Sequence, residues 1–499
     1  MTQLTIREQL EGFPLFQMIV LGTLRLTEPI SFSSIFAYLY FMIKSFNIAS
    51  NDANISKYSG YLASAFSISQ FLTSIQWGKA SNKYGRKRII LLGCFGTAIS
   101  MVILGISTNF YTALLARILM GLLNGNVAIM RTAVGEIAHE KRHQGIAFSN
   151  LSLIWSFGKS IGGFLGGWLT DVDKFRETQE VEERFPFIKI NLIVAAMIIV
   201  FMLQGWLFLE ETHEKQKNRR DIGLEIGDFI RRSLGFEVPQ RPWQIKLPDS
   251  TEEHLVDDFE LSSFSTDSED TITDEKQQLL TKPIIIRIIN NFLMSFSNII
   301  YTDFFPIFLA KTLEVNHLKF PFDIKGGFGY SSKPIGNLIS ITGIIGVVMV
   351  SLLFPIITKH FELLTSFRLG LSITPFIYIT IPLIIFTLPE YNPKSSYFIT
   401  NSLLYINSIL QSFLTSINFS QMFILIHSAS PKQHRAIINS YTISCTSLAR
   451  FIAPLIFGWI MANFDHIGKG GLSWWFLAIV CFISYVNSFF LKESDEIIG

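Results

Sequence analysis

Long apolar segments recur along the whole chain, and they constrain its fold more than any other feature. Of the 499 residues, 49% are hydrophobic and only 16% are charged, whereas soluble proteins carry about 25% charged residues. A run of about 20 apolar residues is long enough to cross the hydrocarbon core of a bilayer as a helix. The pattern therefore predicts an all-α polytopic membrane protein.

The apolar segments predict twelve transmembrane helices. Their predicted bounds are residues 14–43, 57–78, 88–107, 110–137, 145–170, 186–210, 284–311, 333–358, 363–388, 396–427, 433–463 and 472–491. Several of these exceed the ~20 residues that a crossing requires, so we expect tilt or extension into water. The polar N-terminus lacks the features of a cleaved signal peptide, and the first helix is expected to act as an uncleaved anchor.

The short loops between these segments differ in charge, and this predicts the orientation. Most of the basic residues of the short loops lie in loops 79–87, 138–144, 359–362 and 428–435. The alternate loops carry few, apart from 171–185, where acidic residues outnumber basic ones. Because basic short loops stay on the cytoplasmic side, both termini, residues 1–13 and 492–499, are predicted to be cytosolic.

One long hydrophilic stretch, residues 211–282, divides the chain into a first half, 14–210, and a second half, 283–491. Within it, Ile222 to Leu234 could form an interfacial amphipathic helix. The acidic, serine-rich segment 249–275 cannot bury a core, so it is expected to be disordered. The stretch is therefore predicted to be a cytosolic, largely disordered linker between six spans and six.

The same stretch contains a candidate sorting signal. Glu275, Leu279 and Leu280 fit the acidic dileucine pattern that sorting adaptors bind. In a cytosolic, disordered segment such a signal would be accessible to an adaptor. This favours a vacuolar or lysosomal membrane, with the plasma membrane as the alternative.

An internal repeat supports the division into halves. Residues 140–169 align without gaps to residues 431–460, and Lys159 pairs with Arg450 in that register. Parallel six-helix repeats with a site near the midplane are one of the arrangements that transporters use.

Four local patterns are similar to motifs of the major facilitator superfamily of transporters. They are the basic turn 77–88, the Arg-x-x-x-Gly pattern 117–121, the glycine-rich segment 158–167, and Leu-Glu-Glu-Thr at 209–212. Within the superfamily, residues 28–42, 116–126 and 447–454 resemble the fungal and plant carriers similar to zinc-induced facilitators. The resemblance implies two pseudo-symmetric six-helix halves that rock about a central site.

The resemblance also implies a cytoplasmic latch in the first half. Gly78 and Gly85 are expected to let two helices approach and reverse, and Asn82 stands where the family has Asp. Arg131 is assigned to the same region. The residues predicted to form the latch are Gly78, Asn82, Gly85, Arg86, Glu136 and Arg142.

Charged residues inside the spans are the candidates for coupling, because each such charge needs a partner or a wet cavity. Arg25 and Glu28 share a helix face and are either a proton or substrate site or a permanent structural ion pair. Asp303 is either the coupling carboxylate of the second half or a residue near the far surface. Arg117 is either a coupling residue or a staple to neighbouring carbonyls.

Two further sets complete the predicted site. Lys159 and Arg450 either gate the pathway or contact an anion, or they pair with carboxylates in the loops. Polar side chains on the expected cavity helices predict a polar substrate surface, although they could equally join helices to one another. That surface comprises Tyr38, Asn298, Asn407, Gln411 and Asn418.

The sequence thus predicts a secondary transporter for a small organic solute. Proton-coupled antiport, for export or vacuolar sequestration, is the leading hypothesis. A uniporter or symporter for a nutrient or metal complex is the alternative, and a transporter-like sensor is the hypothesis of another class. No enzyme activity, cofactor, metal site or nucleic-acid partner is expected, because neither an ATP-binding loop nor a metal-ligand spacing is present and the net charge is only +2. The protein is expected to act as a monomer.

Overall fold

Helices make up nearly the whole of the structure, which is a computed structural model. It describes residues 12–138, 141–170, 185–241, 243, 281–430 and 435–492. Those residues form no β-strand, only isolated β-bridges. The prediction of an all-α fold is confirmed. The segment 249–275 and the sorting signal at Glu275, Leu279 and Leu280 lie outside the described residues.

Within the described residues, the first half consists of six spans, two of them interrupted. The first span is a pair, α1 and α2, bent by 55°, and the fourth is a pair, α5 and α6, that breaks at Asn124 and Gly125. The helices are α1 (Leu15–Phe36), α2 (Leu39–Ser45), α3 (Asp52–Tyr84), α4 (Arg86–Gly105), α5 (Phe110–Leu123), α6 (Asn126–Ile137), α7 (Lys141–Leu169) and α8 (Ile188–Phe208).

A short helix, α9 (Ile222–Ser233), follows the first half, as the amphipathic pattern predicted. The second half has six helices and short 3-10 turns at Val315–His317 and Ile384–Thr387. Its helices are α10 (Lys282–Ala310), α11 (Ser332–His360), α12 (Leu363–Leu383), α13 (Tyr397–Ser428), α14 (Arg435–His466) and α15 (Gly471–Ser488).

Most of the twelve spans are apolar enough to face lipid. In the described part of the chain, nine helical segments could cross a membrane by length and composition, and the bent pair α1–α2 makes ten. The other two, α3 and α7, are more polar, and they pack against α14 and α11 of the second half. A helix that faces protein on several sides can carry polar side chains that would be costly against lipid.

The bundle has two distinct ends. The loops at Gly85 and Ala138 share one end with the segment 209–241, because Arg86 contacts both Glu136 and Glu211; we call this end the basic face. The loops 46–51, 106–109 and 311–331 lie at the other end, the opposite face.

The two halves meet most closely toward the opposite face. Ser64 Oγ donates to the carbonyl of Phe451 at 2.9 Å, and Ser340 Oγ donates to that of Ser160 at 2.7 Å. At the very end, the Thr312 hydroxyl of the second half bonds to Asp52 of the first. In the described residues, the hydrogen bonds that join the halves lie in the middle of the bundle or on this side of it, so the interface is closed at the opposite face.

A buried ion pair holds the loop 311–331 against the second half. Lys311 Nζ lies 2.7 Å from Asp465 Oδ2, and both side chains are buried. The second carboxylate oxygen of Asp465 accepts a bond of 2.7 Å from the backbone N–H of Gly326. The loop is therefore a folded cover over this end of the second half.

Candidate functional site

The centre of the molecule contains an ion pair covered by an aromatic ring. Arg25 Nη1 donates to Glu28 Oε2, and the two residues are only 7% and 5% exposed. The Trp155 ring of α7 lies 5.1 Å from the Arg25 guanidinium and 5.9 Å from that of Arg450, which comes from α14. A cation over an aromatic face is attracted by the ring quadrupole. Trp155 thus connects cations of both halves.

A second carboxylate, Asp303, lies seven residues before the end of α10 and is 3% exposed. Its Oδ1 atom is fully buried and accepts no hydrogen bond from any described residue. The cations that act on it are Arg117, Lys159 and Arg450, which belong to both halves. Asp303 is therefore not a surface residue, and the structure brings it together with three of the predicted site residues.

The cations around Asp303 differ in their hydrogen-bond partners and in their exposure. Arg117 is fully buried, and its Nε atom donates to the carbonyl of Leu62 at 3.1 Å. Lys159 Nζ lies 3.4 Å from the Thr302 hydroxyl, across the interface between the halves. Lys159 and Arg450 remain partly exposed, and Arg131 is exposed, although all three belong to bundle helices. These three side chains are therefore the accessible members of the group.

The polar side chains of the second half divide into two groups. Asn298 and Asn418 line a small cavity of about 20 Å³ together with Tyr378, a volume that admits about one water molecule. Gln411 and Asn407 instead join helices: Gln411 donates to the Tyr378 hydroxyl at 2.6 Å, and Asn407 donates to the carbonyl of Ile377 at 3.1 Å.

Tyr38 differs from its prediction as a cavity residue. It lies at the break between α1 and α2, is fully buried, and donates to Asn191 Oδ1 at 3.0 Å. Its ring stacks on Phe187. In this structure Tyr38 fastens the bent first span to α8, because the bend turns the side chain into the first half.

Four of the six predicted latch residues, Asn82, Gly85, Arg86 and Glu136, come together on the basic face. Arg86 Nη1 donates to Asn82, and Arg86 Nη2 lies 3.1 Å from Glu136 Oε1. Gly85 has a backbone φ of +101°, a conformation that favours glycine. The prediction was wrong for Gly78, which lies inside α3, where an added β-carbon would meet no atom within 4 Å. The side chain of Arg142 lies outside the described part.

Sequence reasoning missed Glu211 as the centre of this region. Its carboxylate accepts the backbone N–H groups of Arg86 at 2.8 Å and Lys87 at 3.2 Å. An anion placed at a helix N-terminus satisfies unpaired donors and the positive end of the helix dipole. The Leu-Glu-Glu-Thr motif carried this signal, because it places an acid directly after the sixth span.

Two central residues were also missed or misplaced. Arg131 was assigned to the latch, but its electrostatic neighbours are Arg25, Arg450 and Glu28. Glu136 lies five positions after Arg131, which puts the two on different faces of α6. Trp155 lies one turn before Lys159, so helical spacing could have placed it on the same face.

Comparison with known proteins agrees with this architecture. The family described as the Major Facilitator Superfamily matches residues 24–398. The chain is 30% identical to the Major facilitator superfamily multidrug transporter mfsB of Aspergillus fumigatus, over 98% of this chain and 85% of that protein. It is 24% identical to the protein ZINC INDUCED FACILITATOR-LIKE 1 of Arabidopsis thaliana, over 90% of this chain and 85% of that protein.

Among solved structures, the fold is similar to a bacterial homologue of the human lysosomal transporter Spinster in an inward-facing, unoccupied conformation. The TM-score is 0.65 at 14% identity, covering 98% of this chain and 99% of that one. A bundle of paired six-helix halves with charges enclosed at its centre defines a multi-pass membrane transporter. The chain belongs to the Major Facilitator Superfamily.

Proposed function

We propose that this protein is a secondary active transporter that couples the movement of a small organic solute to protons. The two halves would rock about the central charges and open alternately at the basic face and the opposite face. The closed opposite face and the accessible Arg131, Lys159 and Arg450 support this proposal, because they describe one end state of such a cycle.

The surroundings of Asp303 are the observation that best supports proton coupling. Its Oδ1 atom is buried without a hydrogen-bond donor among the described residues, between the halves and near three cations. A buried polar atom without a partner is costly, so a group of this kind is suited to change its protonation when its surroundings change. Glu28 is the second candidate, since protonation there would release Arg25 from its ion pair.

Transport by the purified protein in proteoliposomes tests this proposal. A pH gradient is imposed, and tracer flux is measured for a panel of organic cations, anions and neutral solutes. We expect flux that depends on the gradient and that becomes independent of it in Asp303→Asn or Glu28→Gln. Glu362→Gln, a change at an exposed carboxylate on the basic face, is the control.

Two other outcomes contradict the proposal in different ways. Tracer flux that ignores the pH gradient in the unmodified protein identifies a uniporter. Ligand binding without any flux identifies a sensor.

We also propose that the basic face is cytosolic and that the protein resides in a vacuolar or lysosomal membrane, as a monomer. The basic loops support the orientation, and Glu275, Leu279 and Leu280 support the membrane through an adaptor. A tagged Leu279→Ala, Leu280→Ala double variant should move to the plasma membrane. Retention of the variant in the vacuolar membrane would exclude this signal.

A further inference from the structure

The charges at the centre of the bundle do not balance. Among the described residues, the groups that act on one another electrostatically there include five cations and two carboxylates, which leaves an excess of three positive charges. These groups are Arg25, Arg117, Arg131, Lys159, Arg450, Glu28 and Asp303.

The unbalanced charge lies where a solute can reach it. Arg25 is paired with Glu28, and Arg117 is buried against a backbone carbonyl. Arg131, Lys159 and Arg450 are the accessible ones, and none of the three has an ion pair with a described carboxylate. Like charges held together inside a bundle repel one another, and a bound counter-ion relieves that repulsion.

The groups around these cations indicate which kind of counter-ion fits between them. Lys159 and Arg450 lie on opposite halves, and both act electrostatically on Asp303, although Glu28 acts more strongly on Arg450 than Asp303 does. The Trp155 ring is one helical turn from Lys159 and 5.9 Å from the Arg450 guanidinium. An anion that bridged the two cations would have an aromatic surface beside it for its apolar part.

We propose that the transported solute is a small organic anion whose carboxylate binds between Lys159 and Arg450, with its apolar part against Trp155. This inference rests on the proposed transport function and names its class of substrate. Arg131, nearer the basic face, attracts the anion into the cavity. Because the two bridging cations come from different halves, a bound anion also draws the halves together.

Equilibrium binding tests the inference without requiring transport. The purified full-length protein is titrated with benzoate, phenylacetate, succinate and citrate, and with neutral benzamide and cationic benzylammonium as matched probes. Thermal unfolding and calorimetry report binding. We expect at least one carboxylate to bind about tenfold more tightly than benzamide, since a charge-assisted hydrogen bond contributes about that much.

Variants then locate the site. Lys159→Gln and Arg450→Gln should each weaken carboxylate binding by about tenfold or more, whereas Lys159→Arg and Arg450→Lys should retain it. Lys394→Gln, which removes an exposed cation on the opposite face, is the control. Preference for benzylammonium, absence of binding by every carboxylate, or carboxylate binding in both glutamine variants that is as tight as in the unmodified protein overturns the inference.

The two proposals fail separately. If carboxylates bind at this site but no solute moves across the membrane, then the transport proposal is wrong and the anion site remains. If gradient-driven flux is found only for organic cations, then the anion inference is wrong and transport remains. Sulfate that binds as tightly as any carboxylate would show a site for inorganic anions and would also overturn the inference.

Discussion

At the residue scale, one carboxylate organises the basic face of the first half. Glu211 accepts the backbone N–H groups of Arg86 and Lys87 at the start of α4, and its Oε1 atom also accepts that of His213 at 3.0 Å. These bonds fix the chain that leaves the sixth span against the turn between α3 and α4. Gly85 is required there, because a β-carbon at this position would overlap the Glu211 carboxylate.

Glu211→Ala should therefore destabilise the protein by about 1 kcal/mol, the usual cost of losing a helix cap. The measurement is thermal unfolding of the purified protein in detergent, with Glu214→Ala as the matched control. Glu214 is an exposed acid three residues away. An equal unfolding temperature for both variants would mean that the Glu211 contacts contribute nothing to stability.

Single charges were the part of the candidate site that sequence could predict. A cation or carboxylate inside an apolar span is conspicuous, which is how Arg25, Glu28, Arg117 and Asp303 were found. The residues that contact or pair with charged groups were harder to identify from the sequence. Trp155 is an ordinary aromatic residue in an apolar helix, and the Lys311–Asp465 ion pair joins residues 154 positions apart, each at the edge of a span. Hydropathy carries no information about such pairing.

At the element scale, the bounds of the spans were predictable to within a few residues, since they follow from where apolar runs end. The internal breaks were not. α1 and α2 separate at Ala37 and Tyr38, within a continuous apolar stretch. At the break, Tyr38 packs against Phe187 and bonds to Asn191 of α8, and such packing is a property of the assembled bundle.

The amphipathic helix α9 presents an apolar face that is exposed in the described part of the chain. Gly223 and Gly227 lie against the end of α8, where a β-carbon on either residue would overlap a backbone carbonyl oxygen. Ile222, Ile226 and Phe229 point away from the bundle and are exposed. Hydrogen bonds from Arg241 to Asp228 fix the helix in place and raise the pKa of Arg241.

We expect this face to lie in the membrane interface, as amphipathic helices with exposed aliphatic and aromatic residues do. A spin label at Phe229→Cys should be more accessible to oxygen, which concentrates in lipid, than to a water-soluble nickel chelate. A label at Arg232→Cys, which is exposed on the same helix, should show the reverse. The same preference for the nickel chelate at both positions would place the helix in water.

The contact where α7 crosses α11 leads to a second prediction at this scale. A β-carbon at Gly167 would lie 2.7 Å from the Cα atom of Gly336, so the two helix backbones are in direct contact there. Gly167→Val should separate the halves at the opposite face. Spin labels at Ser50→Cys and Val315→Cys, both at that end of the bundle, should report a new population at longer distance.

Gly78→Val is the matched control for this change. It makes the same substitution inside a helix at a position with open space around it. An unchanged distance distribution in Gly167→Val would mean that the backbone contact does not hold the opposite face closed.

At the scale of the whole molecule, the sign of coupling between proton and solute follows from the central charges. Asp303 and a bound carboxylate share Lys159 and Arg450 as neighbours. Protonation removes the negative charge of Asp303, which leaves Lys159 to the solute and leaves Arg450 to the solute and Glu28. Proton and anion should therefore bind with positive coupling, and thermodynamic linkage requires each to increase the affinity of the other.

Positive coupling between proton and anion binding predicts that an organic anion and a proton move in the same direction. A cationic solute that competed with protons for Asp303 would instead exchange with them. The measurement is the pH change inside proteoliposomes when a bound carboxylate probe is supplied outside. We expect acidification of the lumen that is lost in Asp303→Asn, while Glu362→Gln behaves as the unmodified protein. Alkalinisation of the lumen with the same probe would instead indicate exchange, the mode that the antiporter-like sequence predicted.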